Sequence, residues 1–400
     1  MQLVFLDQAR KVRVSAFAFL LIAAALYFSA GYIFVSFTHD TTKPLGTLLL
    51  LASSGIALGG LMGHLLHQKA NSPAPSEWRS SHIVVDRSEL VLALSALALF
   101  GAACSFYLLA PSGYLLMDKV ERSPALRELY AVRILFFMSP AVYYVGLMRS
   151  NVVRSSLLKT YYATYLVLYG FAALVEINRE MLLILGVLVL CWLGRFRQSF
   201  PRFFPAQFLL LAAGLVFFLT IKALLYPLFF ASSFEGGLLS IGELVNWARW
   251  TMHAFRTEVD LSVLHRHDLE YLLNAVVFPV SGFESASAIW FREILSLEGV
   301  GQTYGYSGLL SWYALGGPIG VFAFPFVLGF IAMALDRSSS AYSAIAGFCF
   351  TLVLFRFFRS EYVLVLKTFL WQYFYPALFF YVLSRIRLPA LRRSNELLHG

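Results

Sequence analysis

Long apolar runs separated by short polar connections dominate the chain, and their lengths predict its main elements. A helix that crosses a bilayer needs about 20 mostly apolar residues. About ten such runs predict an all-α polytopic membrane protein. We place the helices at 14–37, 45–66, 90–110, 130–148, 158–176, 181–197, 206–228, 315–335, 340–356 and 362–384.

One segment, 229–314, interrupts this pattern between the seventh and eighth predicted helices. It carries Trp247, Trp250 and Trp290 and keeps a helical spacing of apolar residues. We therefore predict a large ordered loop with amphipathic helices and not a flexible linker. The chain is divided into 1–228 with seven transmembrane helices, the loop 229–314, and 315–400 with three more helices and a basic cytoplasmic tail.

Composition agrees with a membrane protein and explains the charge. Hydrophobic residues make up 59% of the chain and charged residues only 13%, whereas a soluble domain has about 25% charged residues. The net charge is +9, and Lys and Arg concentrate on one side of the predicted helices. This bias predicts cytoplasmic N and C termini and places the large loop outside. Because topology accounts for the charge, no nucleic-acid partner is expected.

Two short helical hairpins carry charges at their turns. The apolar run 181–193 that follows Arg179 and Glu180 extends about 20 Å as a helix, against a hydrocarbon core of about 30 Å. The turn before it is therefore predicted to lie below the outer surface. Arg356 and Arg359 follow the ninth predicted helix in the same way, and Arg133 lies at the start of the fourth. Charges at such depth are costly and tend to be paired, cavity-lining and functional.

The large loop contributes one more candidate group. Arg249, His253, Arg256 and Asp260 are spaced by four, three and four residues, so they share one face if the segment is helical. Two guanidinium groups with a histidine between them have the geometry to hold a diphosphate, because the Arg fork suits phosphate oxygens.

Each of these charged groups also has an interpretation in which its role is only structural. The spacing of Arg249, His253, Arg256 and Asp260 is equally typical of the solvent-exposed face of an amphipathic helix. Arg179 with Glu176 and Glu180 is compatible with an ion pair that closes its own hairpin. The other buried arginines are compatible with snorkelling to lipid headgroups; they are Arg133, Arg356 and Arg359. No metal site is predicted, because His265 and His267 face opposite sides of a helix, and no Gly-rich phosphate loop indicates a cofactor.

Three stretches of the chain resemble the bacterial O-antigen polymerase family, the Wzy-type oligosaccharide repeat-unit polymerases. They are NRE at 178–180, TYGYSGLLSWYALGGPIGVFAFPFVLGF at 303–330 and RFFRSEYVLVLKTFLWQYFYP at 356–376. Glu180 stands where a small residue is common in the family. The resemblance implies a GT-C-like architecture in the bacterial inner membrane with the active site facing the periplasm.

The resemblance also implies a reaction. Oligosaccharide repeat units on undecaprenyl diphosphate would be joined at the periplasmic face, in a metal-independent glycosyl transfer that releases undecaprenyl diphosphate. Arginines would hold the diphosphate, namely Arg133, Arg179, Arg249, Arg256, Arg356 and Arg359. The general base would come from His253, Asp260, Glu180 or His267, in that order of preference. A chain-length regulator is the expected protein partner.

Three other functions remain open at this point. An O-antigen ligase would use the same donor and transfer it to lipid A core. A transporter or flippase of lipid-linked sugar would have internal repeats and helices broken near the midplane, and the sequence indicates neither. A scaffold subunit of a polysaccharide complex would tolerate substitution of its arginines.

Overall fold

A computed structural model of the chain describes residues 14–37, 42–68, 87–110, 130–149, 156–175, 179–196, 307–338 and 340–384, with isolated positions between 272 and 290. These residues are almost entirely helical, and none of them lies in a strand. The predicted helix at 206–228, most of the loop 229–314 and the tail from 385 fall outside the described residues.

The helices follow the predicted positions closely. In chain order they are α1 (Ala16–Phe37), α2 (Thr42–Gln68), α3 (Arg87–Leu109), α4 (Tyr130–Arg149), α5 (Ser156–Val175), α6 (Arg179–Phe196), α7 (Gly308–Arg337), α8 (Ala341–Arg359), α9 (Tyr362–Lys367), a π-helical segment (Thr368–Phe374) and α10 (Tyr375–Leu383). Within the described residues, five spans are long and apolar enough to cross a membrane: Leu45–His67, Val91–Leu109, Gly308–Arg337, Ala341–Phe358 and Tyr362–Leu383. The total of about ten spans and their orientation stay predictions.

Helix α7 begins earlier than predicted and is broken near its start. Ser307 caps it by accepting a hydrogen bond from the Leu310 backbone N–H at 3.1 Å. Gly316 and Gly317 then leave the helical conformation, with φ 57° and ψ −145° at Gly317. The part from residue 318 to Arg337 is about 30 Å long at 1.5 Å per residue, which matches the hydrocarbon thickness. The predicted helix at 315–335 is therefore only this second part, and a short helix precedes it.

Helices α2 and α7 pack at very close range. Gly55, Gly59 and Gly63 repeat every four residues along one face of α2. A Cβ atom on Gly59 would overlap the Phe326 carbonyl, and one on Gly63 would lie 2.9 Å from the Phe330 carbonyl oxygen. Small residues in this spacing let two membrane helices approach backbone to backbone.

Helix α8 occupies the centre of the bundle. Of the five candidate spans it is the most enclosed, with 61% of its apolar window buried, and it contacts α1, α4, α6, α7 and the last span. Tyr144 of α4 stacks on Phe348 of α8 with ring centroids 4.0 Å apart. The Tyr144 hydroxyl also donates to the Ala344 carbonyl at 3.2 Å. Side chains on different faces of α8 thus contact different neighbouring helices.

Asp336, at the end of α7, caps the N-terminus of α1. Its carboxylate accepts hydrogen bonds from the Ser15 hydroxyl at 2.6 Å and from the backbone N–H groups of Ala16 at 2.8 Å and Phe17 at 3.1 Å. A carboxylate is favourable at a helix N-terminus because the N–H groups there lack partners within the helix. We name this end of the bundle the Asp336 end. Since α8 starts beside it, Arg356 lies at the opposite end, which we name the Arg356 end.

Candidate functional site

The Arg356 end is built on the last turn of α8. The helix continues through Arg359, and the Ser360 N–H donates to the Arg356 carbonyl at 2.8 Å. The prediction that α8 ends at 356, with both arginines in the turn, is therefore wrong. Helical side chains lean toward the N-terminus of their helix, so Arg356 extends back into the bundle.

Glu180 lies in the first turn of α6, where its charge is favourable to the helix dipole. Arg356 Nε donates to Glu180 Oε1 and Arg356 Nη2 to Glu180 Oε2, both at 2.6 Å. The two side chains are 23% and 24% exposed. This two-bond fork is the strongest form of an ion pair between side chains and fixes the plane of the guanidinium. It links the two charged hairpins.

Thr368 holds the guanidinium from the other side. Arg356 Nη1 donates to the Thr368 hydroxyl at 2.8 Å, and Thr368 is 2% exposed. We name Glu180, Arg356 and Thr368 the Arg356 cluster. The guanidinium thus bridges α6 and the last span, and its position depends on both.

Thr368 opens the π-helical segment, which ends at Phe374. Short π segments inside helices occur frequently at functional sites. Tyr373 in this segment is fully buried. Its hydroxyl has no hydrogen-bond partner among the described residues. Glu361, which precedes α9, is only 2% exposed, so this end of the bundle contains a buried carboxyl group in addition to the partly exposed Glu180.

The first part of α7 packs onto the same end. A Cβ atom on Gly308 would overlap the Phe357 carbonyl, and Trp312 contacts Phe358 edge to face at 5.9 Å. Leu272, one of the few described positions of the large loop, packs on Val363. The start of α7, at residues 308–312, therefore lies at the same end as Glu180 and Arg356, while the rest of α7 runs along α2 toward the Asp336 end.

The structure brings only part of the predicted site together. Glu180 and Arg356 are in direct contact. Arg179 is the residue before Glu180, Arg359 lies one turn beyond Arg356, and Arg133 is in the first turn of α4, but the side chains of these three arginines lie outside the description. The remaining predicted residues fall on the undescribed part of the loop: Arg249, His253, Arg256, Asp260 and His267.

Two of the structural interpretations change. Glu180 pairs with the arginine of the other hairpin, so it does more than close its own turn with Arg179. Arg356 donates to Glu180 and Thr368, and these contacts disfavour the alternative in which it snorkels to headgroups. Sequence reasoning missed Thr368 and Tyr373. The sequence offered no specific signal for them, because each follows another polar residue of the same helix, Lys367 and Gln372.

The chemistry of the Arg356 cluster is that of an anchored cation at a helix-bundle end. The carboxylate sets the orientation of the guanidinium, and the threonine hydroxyl restricts its movement. The guanidinium is fixed in orientation, but Glu180 offsets its charge, so an anionic substrate would compete with Glu180 for Arg356. Comparison of the chain with known protein families, curated proteins and solved structures finds no match.

Proposed function

We propose that the protein is a membrane-embedded glycosyltransferase that polymerises oligosaccharide repeat units carried on undecaprenyl diphosphate. It would work at the periplasmic face of the bacterial inner membrane and build O-antigen or a related surface polysaccharide. The observation that supports the proposal is the contact of Arg356 with Glu180 and Thr368. It joins residues from two of the three family-like stretches, and the start of the third packs beside them through Gly308 and Trp312.

In the proposed reaction, an acceptor hydroxyl of one lipid-linked unit attacks the anomeric carbon of another. The bond between that carbon and the diphosphate oxygen breaks, and the hydroxyl proton passes to a general base. The departing diphosphate gains negative charge as the bond breaks. Fixed guanidinium groups in a low-dielectric site would stabilise that charge and lower the barrier.

Among the candidate residues, the described contacts bear on the role of Glu180. Glu180 is engaged by two hydrogen bonds to Arg356, which favours a positioning role over that of general base. His253 and Asp260 are then the preferred bases. Arg356 and Arg359 would face the diphosphate from one hairpin and Arg179 from the other. Arg133, Arg249 and Arg256 would complete the set.

The test is a polymerisation assay with the purified full-length protein and a defined undecaprenyl-diphosphate repeat unit, run with and without EDTA. We expect a ladder of chain lengths that persists in EDTA. Arg179→Ala, Arg256→Ala and Arg356→Lys should abolish or strongly reduce it. Arg337→Gln is the matched control, because Arg337 is exposed at the Asp336 end.

The other functions are distinct outcomes of the same assay. A single transfer that requires lipid A core would assign the protein as a ligase. Binding of the donor without transfer to any acceptor would overturn the polymerase and favour a transporter or a scaffold. Normal ladders from Arg179→Ala, Arg256→Ala and Arg356→Lys would overturn the assignment of these arginines to the diphosphate.

A further inference from the structure

Tyr373 is fully buried, and its hydroxyl group has no hydrogen-bond partner among the described residues. Burying such a group is unfavourable, because the hydroxyl loses its bonds to water and gains none from the protein. A phenylalanine would keep the edge-to-face contact of this ring with Phe137, at 6.4 Å, without that loss. Stability of the bundle therefore does not explain the hydroxyl, which indicates a functional role.

The backbone places Tyr373 next to the Arg356 cluster. Tyr373 follows Thr368 by five residues in the π-helical segment, where the Tyr375 N–H donates to the Leu370 carbonyl five residues earlier. Residues five apart therefore lie on successive turns of one face, whereas an α-helix would rotate them by about 140°. Helical side chains lean toward the N-terminus of their helix. The Tyr373 ring thus leans toward Thr368, whose hydroxyl accepts a hydrogen bond from Arg356.

The ion pair in this cluster has a geometry that an anion can enter. Glu180 occupies the Nε and Nη2 edge of Arg356 with both carboxylate oxygens, and two phosphate oxygens fit the same edge. The two side chains are 23% and 24% exposed, so a ligand reaches the pair from solvent. Thr368 holds Nη1 from another side. The guanidinium therefore keeps one anchor when Glu180 is displaced.

A displaced Glu180 carboxylate requires a new donor, because a partly buried charge is unfavourable without one. The Tyr373 hydroxyl is such a donor, and a hydrogen bond from it to a carboxylate is stronger than one between neutral groups. We propose that Tyr373 is a positioning residue that binds Glu180 when a diphosphate takes its place on Arg356. This inference rests on the proposed function, because that function supplies the diphosphate.

The exchange gives Glu180 two partners in turn. Without substrate, Glu180 orients Arg356 and offsets its charge. With the diphosphate on Arg356, the Tyr373 hydroxyl donates to the released carboxylate and holds it away from the phosphate oxygens, which it would otherwise repel. Tyr373 thereby lowers the free energy needed to open the ion pair and raises the affinity for the diphosphate.

The test measures binding of radiolabelled farnesyl diphosphate to the purified full-length protein in detergent, together with thermal unfolding of the free protein. Tyr373→Phe removes only the hydroxyl. Tyr143→Phe is the matched control, because Tyr143 also buries a hydroxyl that lacks a hydrogen-bond partner in the described part of the chain. Tyr143 packs on Tyr162, which lies about 20 Å before the end of α5 at 1.5 Å per residue and thus far from Glu180.

We expect Tyr373→Phe to leave the unfolding midpoint unchanged or higher and to weaken binding about tenfold, the size of one lost hydrogen bond to a charged group. Tyr143→Phe should leave binding unchanged. In a Glu180→Ala background no carboxylate has to be displaced, so Tyr373→Phe should have no further effect on binding there. Arg356→Gln should abolish binding.

Four results would overturn the role of Tyr373: unchanged binding in Tyr373→Phe, a lower unfolding midpoint in that variant, an equal loss in Tyr143→Phe, or the same loss in the Glu180→Ala background. Absence of binding by the unsubstituted protein, or binding that persists in Arg356→Gln, would overturn the exchange itself. The polymerisation ladder decides the proposed function separately. A ladder beside any of these results leaves the polymerase standing, and the expected binding results without a ladder would overturn only the polymerase.

Discussion

Glu180 and Arg356 are 176 residues apart in the chain and joined by two hydrogen bonds of 2.6 Å. Neither side chain is more than 24% exposed. Removing one partner leaves the other charge in a place where water compensates it only in part. The effects of substituting Glu180 and Arg356 on the free energy of unfolding should therefore be coupled, whatever reaction the protein performs.

A double-mutant cycle on Glu180→Gln and Arg356→Gln should show this coupling. We expect each single substitution to destabilise the protein and the double substitution to be less harmful than their sum, by about 1–3 kcal/mol. The measurement is unfolding by SDS in mixed micelles. Additive effects would mean that the two side chains do not share an ion pair in the folded protein.

Thr368 allows a finer test of how Arg356 is held. Thr368→Val keeps the shape and removes the hydroxyl that accepts from Arg356 Nη1. In the proposed reaction this hydrogen bond orients Arg356 in the transition state, so losing about 1 kcal/mol there should lower the initial rate roughly fivefold. Thr368→Ser keeps the hydroxyl and is the control. Loss of activity in Thr368→Ser but not in Thr368→Val would assign the effect to packing of the methyl group and contradict the prediction.

Asp336→Asn should weaken the connection between α7 and α1. Three donors converge on the Asp336 carboxylate, and an amide cannot accept from all of them. We expect a loss of about 1–3 kcal/mol in the free energy of unfolding. Arg337→Gln, one residue away, should have little effect. A similar loss in both variants would show that the cap is not responsible.

Gly59→Ala tests the close packing of α2 and α7. The new methyl group would overlap the Phe326 carbonyl, so the helices must separate, and we expect destabilisation of about 1–3 kcal/mol. Gly46 lies in the same helix with nothing within 4 Å of an added Cβ atom. Gly46→Ala should therefore be neutral or slightly stabilising. The comparison is made by thermal unfolding in detergent.

Gly317 and Gly316 form a matched pair for the break in α7. Neither has an atom within 4 Å of an added Cβ atom, but only Gly317 has a positive φ, of 57°. Gly317→Ala should cost about 1–3 kcal/mol through backbone strain alone, while Gly316→Ala should be tolerated. Equal unfolding midpoints for the two variants would argue against a break at Gly317.

The helices were predictable because apolar run length reflects a physical constraint, the thickness of the bilayer. The early start of α7 was not, because Gly316, Gly317 and Pro318 indicate a helix start while Ser307 caps a shorter helix before them. The partner of Glu180 was also beyond sequence reasoning. Both hairpins carry Arg and Glu, and only packing selects the pair.

The π-helical segment and the glycine repeat of α2 differ in whether the sequence alone indicates them. No sequence pattern in this mostly apolar run indicates a π-helical segment. The contact between Arg356 and Thr368 could therefore not be predicted from the spacing of an ordinary α-helix. The four-residue repeat of Gly55, Gly59 and Gly63 was readable as a packing motif and was overlooked. His253 and Asp260 remain predictions from spacing alone.

The hydrogen bond between Ser15 and Asp336 spans 321 residues, and this has a consequence for biosynthesis. The first helix is made early in translation, whereas the carboxylate that caps it is made after most of the chain has left the ribosome. Until Asp336 has been synthesised, α1 of the nascent chain therefore lacks its N-terminal cap. Topology reporters fused upstream of residue 336 would sample that immature state, so they should be compared with reporters fused after it.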